Sequence, residues 1–264
     1  MPETDFFSPT DDGLLVPRPS ARGPWSPDML HGRLLVGLAA WAVERDHGGD
    51  GFLPVRLTVD LYRSPAMKPA SVTTTLVRSG GRVRAVDAVI SVDGVDVARA
   101  SALLLRRSEA VADDAPVTAP WDAPPPATDS GATGLSADVA FDVRPAGEHG
   151  FGAPGPGPRR MWLRDRGRLV AGVELTPYVR AALCADFASP LANSTPDGLD
   201  YINADAALYL ARLPTSEWIG IETHDRVVAD GVSVAQSVLH DDTGPIGWAS
   251  ACAVLTARMD RPQQ

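Results

Sequence analysis

Lysine is nearly absent from this chain: Lys68 is the single lysine among 24 basic residues, which leaves 23 arginines. The skew reads as composition bias, since lysine is ordinarily a common surface residue, and no chemistry follows from it. Positive charge as a whole is in the minority. Arg and Lys number 24 against 33 Asp and Glu, a formal net charge of -9, so the cationic footprint that nucleic-acid binding requires is missing. Cysteine is scarce too. Cys184 and Cys252 cannot build a disulfide framework or a structural zinc site by themselves, and their apolar neighbours predict buried, reduced thiols. The five histidines, His31, His47, His149, His224 and His240, show no HxxH or HExxH spacing, and no metal is expected. Long apolar runs are also missing: Leu34 to Val43 is far short of the ~20 residues of a membrane span. The acidic start, with Glu3, Asp5, Asp11 and Asp12, lacks the basic and apolar regions of a secretory signal. These absences predict a soluble, cytoplasmic protein.

What is present is 44% apolar residues over 264 positions, with 24 glycines and 24 prolines. Such a length suits one large domain or two small ones, and it buries about 70–75% of its unfolded surface without staples. Gly150-Phe151-Gly152-Ala153-Pro154-Gly155 matches the GxGxxG pattern in letters only. Pro154, Pro156 and Pro158 block the helix that would hold a pyrophosphate, and no cofactor is expected. Gly231-Val232-Ser233-Val234-Ala235 reads as the start of a strand, not as a nucleophile elbow.

The periodicity alternates between two kinds of segment. Prolines 17, 19 and 24 predict an irregular N-terminal arm. His31 to Val43 is apolar at nearly every position and predicts a helix buried on most of its surface, ended by the glycines around His47. From Leu53 the pattern turns to strands, at Arg56–Arg63, Ser71–Val77, Arg82–Val92 and Val95–Leu105, with an Asp93-Gly94 hairpin between the last two. Residues 109–137 lie in a stretch without a basic residue that carries Pro124-Pro125-Pro126, and they predict an extended acidic linker. Then the order repeats. Short strands at Val139–Arg144 and Arg160–Arg164 precede a second apolar helix opened by Thr176-Pro177 and running through Phe187, and four more strand-like runs follow, with a turn at Asp242-Thr243-Gly244. Adding 150 carries Gly81 to Gly231, Ala85 to Ala235, Gly94 to Gly244 and Leu105 to Leu255. A buried helix followed by antiparallel strands is an α+β unit whose sheet must wrap the helix, and the shift predicts two fused copies, at 1–108 and 138–264.

One residue stands out chemically. Asp186 lies in the second apolar helix, where a carboxylate is costly unless paired or useful. Asn203 and Asp205 open the next strand.

An ordered set of segments over residues 25–260 then resembles the TesB-type acyl-CoA thioesterases. The segments are His31-Gly32, Leu57 to Pro65, Asp142 to Pro145, Met161 to Arg164, Ala185-Asp186-Phe187-Ala188-Ser189-Pro190, Ile202-Asn203-Ala204-Asp205, Tyr209 to Arg212 and Glu217 to Gly220. The resemblance implies a double hotdog fold, a long helix lying in a curved antiparallel sheet, twice. It also implies hydrolysis of acyl-CoA by a water held by an Asp, a hydroxyl residue and a Gln. By position the Asp is Asp186, the hydroxyl position holds Asn203 and the Gln position falls at Cys252, with Gln236 on the neighbouring strand as a substitute amide. His31 and Gly32 would offer backbone N–H groups to the substrate, and Arg63 and Arg212, with Arg78 and Arg82, would meet the anionic CoA. Gly32 is followed by Arg33, where the family often has another glycine. The first half carries Val86 and Ala102 at the shifted positions and no helix carboxylate, so one site per chain is expected. The departures at Asn203 and Cys252 keep a rival open, a hotdog protein that binds acyl-CoA without turning it over; a hydratase is more distant. Exposed hotdog sheet edges favour a homo-oligomer, a dimer of double hotdogs.

Overall fold

The computed structural model describes residues 5–49, 51–109, 114–126, 140–153, 155 and 157–256. The arm is more ordered than its prolines suggest. Strands β1 (Phe7–Pro9) and β2 (Leu15–Pro17) pair antiparallel, Leu15 of β2 pairs with Ala70, and Phe6 and Phe7 are buried. Pro9 and Pro17 close their strands, where a missing N–H costs little, and the two aromatic side chains bring the arm onto the core.

Helix α1 (Gly32–His47) follows, then β3 (Phe52–Leu61), β4 (Ala70–Ser79), β5 (Val83–Val92) and β6 (Val95–Arg106). The β5–β6 turn has positive φ at Asp93 and Gly94, the backbone that favours this dipeptide in a two-residue hairpin. The second set comprises β7 (Phe141–Pro145), β8 (Arg159–Asp165), α2 (Pro177–Ala185), α3 (Ala188–Asn193), the short pair β9 (Ser194–Thr195) and β10 (Gly198–Leu199), then β11 (Tyr201–Asn203), β12 (Asp205–Leu210), β13 (Ile219–Ala229), β14 (Val232–Asp241) and β15 (Gly244–Leu255). The β5 and β14 strands begin 149 residues apart, at 83 and 232, and so do β6 and β15, at 95 and 244. The offset in these strands is therefore 149 rather than 150, and Gln236 and Cys252 correspond to Asp87 and Leu103 of the first set.

Apart from the separate β9–β10 pair, both sets join in one 13-stranded sheet, with β3 and β12 paired antiparallel at the seam through Leu57 opposite Leu208 and Thr58 opposite Ala207. The helices lie against its inner face, antiparallel to each other. At one end the Thr176 hydroxyl donates to Glu44 Oε2; at the other Arg33 Nε donates to the Leu183 carbonyl. Gly37 permits the close approach between, since a Cβ there would lie 2.5 Å from Leu183 Cδ2. Thr176 caps α2, its Oγ1 accepting from the Val179 N–H at 3.3 Å. The second helix stops at Ala185 rather than running on, and α3 begins two residues past Asp186. The described part of the linker, 114–126, has no regular secondary structure, and it is anchored by Trp121, which stacks on His240 with ring centroids 4.6 Å apart. The proline run 124–126 lies in it, whereas residues 110–113 and 127–137 of the expected linker, with 138 and 139 of the second copy, lie outside the described residues.

Candidate active site

The break between α2 and α3 leaves Asp186 at the end of a helix, 4% exposed, beside the start of α1. Its Oδ1 would be 3.9 Å from a Cβ built on Gly32. Asn203 reaches the same carboxylate: its Nδ2 donates to Asp186 Oδ1 at 2.9 Å and to the Asp186 carbonyl at 3.1 Å. A slip in the ladder makes that contact. Asn203 pairs with Ala253, but Ala207 pairs with Ser250, so one extra residue sits between β11 and β12. This bulge changes which face successive residues present. Asn203 therefore points inward on one side of it, and buried Ala206 and Leu208 point inward on the other.

Burial pushes the Asp186 carboxyl up to about 6; the Asn203 hydrogen bond and the Arg33 charge pull the other way without cancelling it. A carboxylate poised there suits a general base near neutral pH. His31 precedes α1 with its ring packed against the touching pair Phe141 and Phe187, at 6.2 and 6.3 Å between centroids. Burial first, and the Arg33 charge second, push its imidazole down to about 3, so the ring is neutral at physiological pH. The α1 N-terminus at Gly32 leaves backbone N–H groups without intrahelical acceptors, and it faces this carboxylate.

Asp186, Asn203, His31 and Gly32 thus lie close together, while the other candidate residues lie apart from them. Cys252 was expected to be buried and at the site, but it is exposed on the outer face of β15; buried Ala251 and Ala253 on either side take the inward positions. Gln236 is exposed as well, between inward Ala235 and Ser237 and opposite Ser250. Neither amide nor thiol faces Asp186. Hydrolysis by Gln236→Ala and Cys252→Ser proteins is therefore expected to match the parent in a thiol-release assay, and a collapse of rate in either would contradict this placement. Arg212 is committed elsewhere, in a two-pronged pair with buried Asp241 at 2.6 and 2.7 Å. Although burial opposes it, that pair, with bonds from Thr215 and Thr243, holds the Asp241 carboxyl well below the usual range. Arg63 is exposed two residues beyond Leu61, whose N–H donates to the Ala204 carbonyl, next to Asn203. It stands at the site's end of the sheet, whereas Arg78 and Arg82 stand at the opposite ends of the first-half strands. Sequence reasoning noted Arg33 as a departure but did not foresee its partner: it is fully buried against Asp165. An arginine inside an otherwise apolar helix was the available signal.

A helix lying in a curved antiparallel sheet, twice over, with a buried carboxylate where the two helices meet, defines a double hotdog protein. Residues 21–105 match the acyl-CoA thioesterase N-terminal domain and residues 111–250 the acyl-CoA thioesterase C-terminal domain. The chain belongs to the acyl-CoA thioesterase family. Among solved structures it is similar to the acyl-CoA thioesterase II TesB2 of Mycobacterium marinum (16% identity, 88% of this chain and 91% of that one, TM-score 0.67). It is also similar to the TesB protein of Mycobacterium avium subsp. paratuberculosis (16%, 87% and 88%, 0.64). A third is a hotdog-fold protein of unknown function from Alicyclobacillus acidocaldarius (15%, 94% and 93%, 0.71). No curated protein matches it by sequence. No described helix is long and apolar enough to cross a membrane.

Proposed function

We propose that this protein hydrolyses acyl-CoA thioesters to the free acid and CoA, with Asp186 as general base. The observation that carries the reading is the buried Asp186–Asn203 pair set against the start of α1. In the reaction Asp186 takes a proton from water as the water oxygen bonds to the thioester carbonyl carbon. The carbonyl oxygen gains negative charge, which the free N–H groups at the start of α1 stabilise, an effect often worth ~3–4 kcal/mol. The tetrahedral species collapses, the C–S bond breaks, and the proton held by Asp186 leaves with the thiol. Asn203 fixes the carboxylate orientation, and Arg63 at the rim meets the anionic part of CoA. Neutral His31 walls the acyl thioester end with Phe141 and Phe187.

A general base must be ionised to act, so kcat/KM is expected to rise with pH through about 6 and level off above it. A pH–rate profile on a saturated acyl-CoA checks this. A flat profile from pH 5 to 8 would remove Asp186 from the role.

The second reading, an acyl-CoA binding protein without turnover, draws on one observation: inward Ala253, opposite Asn203, has no polar group to hold a water. Tight acyl-CoA binding without thiol release across a panel of chain lengths would favour it.

A further inference from the structure

Arg33 is fully buried, yet it carries a charge. Its Nη2 donates to Asp165 Oδ1 at 2.5 Å and its Nε to the Leu183 carbonyl at 3.3 Å. Its guanidinium carbon lies 4.7 Å from the Phe141 ring centroid, 5.4 Å from that of Phe187 and 5.8 Å from that of Phe6. These contacts come from the arm, β7, β8 and both sides of the α2–α3 break. Stability is a poor reason for such a pair, because apolar residues of similar volume in its place are often as stable or more so. Nor is the pair saturated: Arg33 Nη1 and Asp165 Oδ2 have no hydrogen-bond partner among the described residues. Its purpose is better sought in what it touches. Leu183 and Phe187 bracket Asp186, and Gly32, the residue before Arg33, abuts the Asp186 carboxylate.

We propose that Arg33 is a positioning residue for the hydrolytic step, clasping the Asp186 turn from both sides, at Leu183 and Phe187, and supplying a cationic charge to its surroundings. Asp165 holds the guanidinium in place and moderates its charge. The inference rests on the hydrolase reading for its purpose but not for its test. Without Arg33, burial acts on Asp186 opposed by the Asn203 hydrogen bond alone, and the base stays protonated further into the neutral range. Here, where the family often has a second glycine, an arginine adjusts the base.

Carbon-13 NMR of the full-length protein, labelled at Asp side chains, reads this directly, with the Asp186 signal identified by its loss in Asp186→Asn. Two variants change the charge in opposite directions. Asp165→Asn leaves the Arg33 charge unopposed, and the Asp186 titration is expected to move down. The double variant Arg33→Met, Asp165→Leu removes both charges while keeping an apolar core, and the titration is expected to move up, by roughly one pH unit. In an active enzyme the acid limb of kcat/KM follows both shifts, which a purely structural role would not produce. An unchanged Asp186 titration in both folded variants overturns the inference, even if Asp186→Asn is inactive. Shifted titrations in a protein with no turnover would sustain the electrostatic coupling and overturn its hydrolytic purpose.

Discussion

Asp186→Asn is expected to eliminate measurable thiol release from acyl-CoA while raising the melting temperature by several degrees above pH 6. The loss follows from removing the base, a contribution of typically ~10²–10⁴-fold, with the amide unable to accept the water proton. The gain follows from linkage. The Asp186 carboxyl titrates near 3.8 in the unfolded chain and at about 6 in the folded one, so the native state holds its proton more tightly. The stability tied to that proton is fully present below 3.8 and is lost as pH rises through about 6. Above that range the ionised, buried carboxylate costs on the order of 3 kcal/mol, at ~1.4 kcal/mol per pKa unit. An asparagine has no such cost and keeps the Asn203 Nδ2 bond through its own carbonyl oxygen. Melting curves of both proteins at pH 4 and pH 8 check the sign: they should differ little at the lower value and most at the higher. An Asn variant less stable than the parent at pH 8 would mean that Asp186 is a structural anchor, and would count against its catalytic role. Stability traded for a charged group at a site is a common pattern.

Gly37→Val is expected to destabilise the fold strongly and to disturb the site from a distance. The α1 and α2 helices meet here closely enough that a Cβ would lie 2.5 Å from Leu183 Cδ2, 3.1 Å from Leu183 Cγ and 3.4 Å from Leu169 Cδ1. Leu183 and Leu169 are themselves buried, so neither can swing into solvent. Overpacking a closed core costs ~1–3 kcal/mol, and a branched side chain at such a distance falls at the upper end. The helix-propensity gain on losing glycine, under ~1 kcal/mol, does not offset it. Because Leu183 stands three residues before Asp186, the displaced α2 also carries the carboxylate away from Gly32 and Asn203. Urea unfolding should show a midpoint well below that of the parent, with reduced hydrolysis in the fraction still folded. A midpoint equal to the parent's would contradict the helix contact.

How much of this was legible in the sequence depends on which physical signal each feature rests on. The two apolar helices and the paired hairpins were readable because burial on all sides and the turns at Asp93-Gly94 and Asp242-Thr243-Gly244 leave marks within a few residues. The carboxylate Asp186 was readable because a charge in an apolar helix is costly. Side-chain facing was not. In a strand, one residue of error inverts the face, and the repeat in β5, β6, β14 and β15 runs at 149 rather than 150. The family resemblance put Cys252, with Gln236 as its substitute, into the expected site by position along the chain alone, and both point outward. Conversely, the bulge after Asn203 turns that side chain inward, and nothing in Ile202-Asn203-Ala204-Asp205 announces a bulge. Arg212 looked free because its partner, Asp241, lies 29 residues further along the chain. Arg33 was visible as a departure, but its partner Asp165 lies 132 residues away, beyond any local pattern.

The most direct test of the account is a single-turnover reaction of excess protein with an acyl-CoA in oxygen-18 water, followed by mass spectrometry of the acid and of the peptide containing Asp186. A general-base mechanism predicts that thiol is released in step with acid, that the acid carries one heavy oxygen, and that Asp186 carries none. Unlabelled acid with heavy oxygen in the Asp186 carboxylate would show attack by the carboxylate itself, and no acid at all would show a binding protein; either result would contradict the central claim.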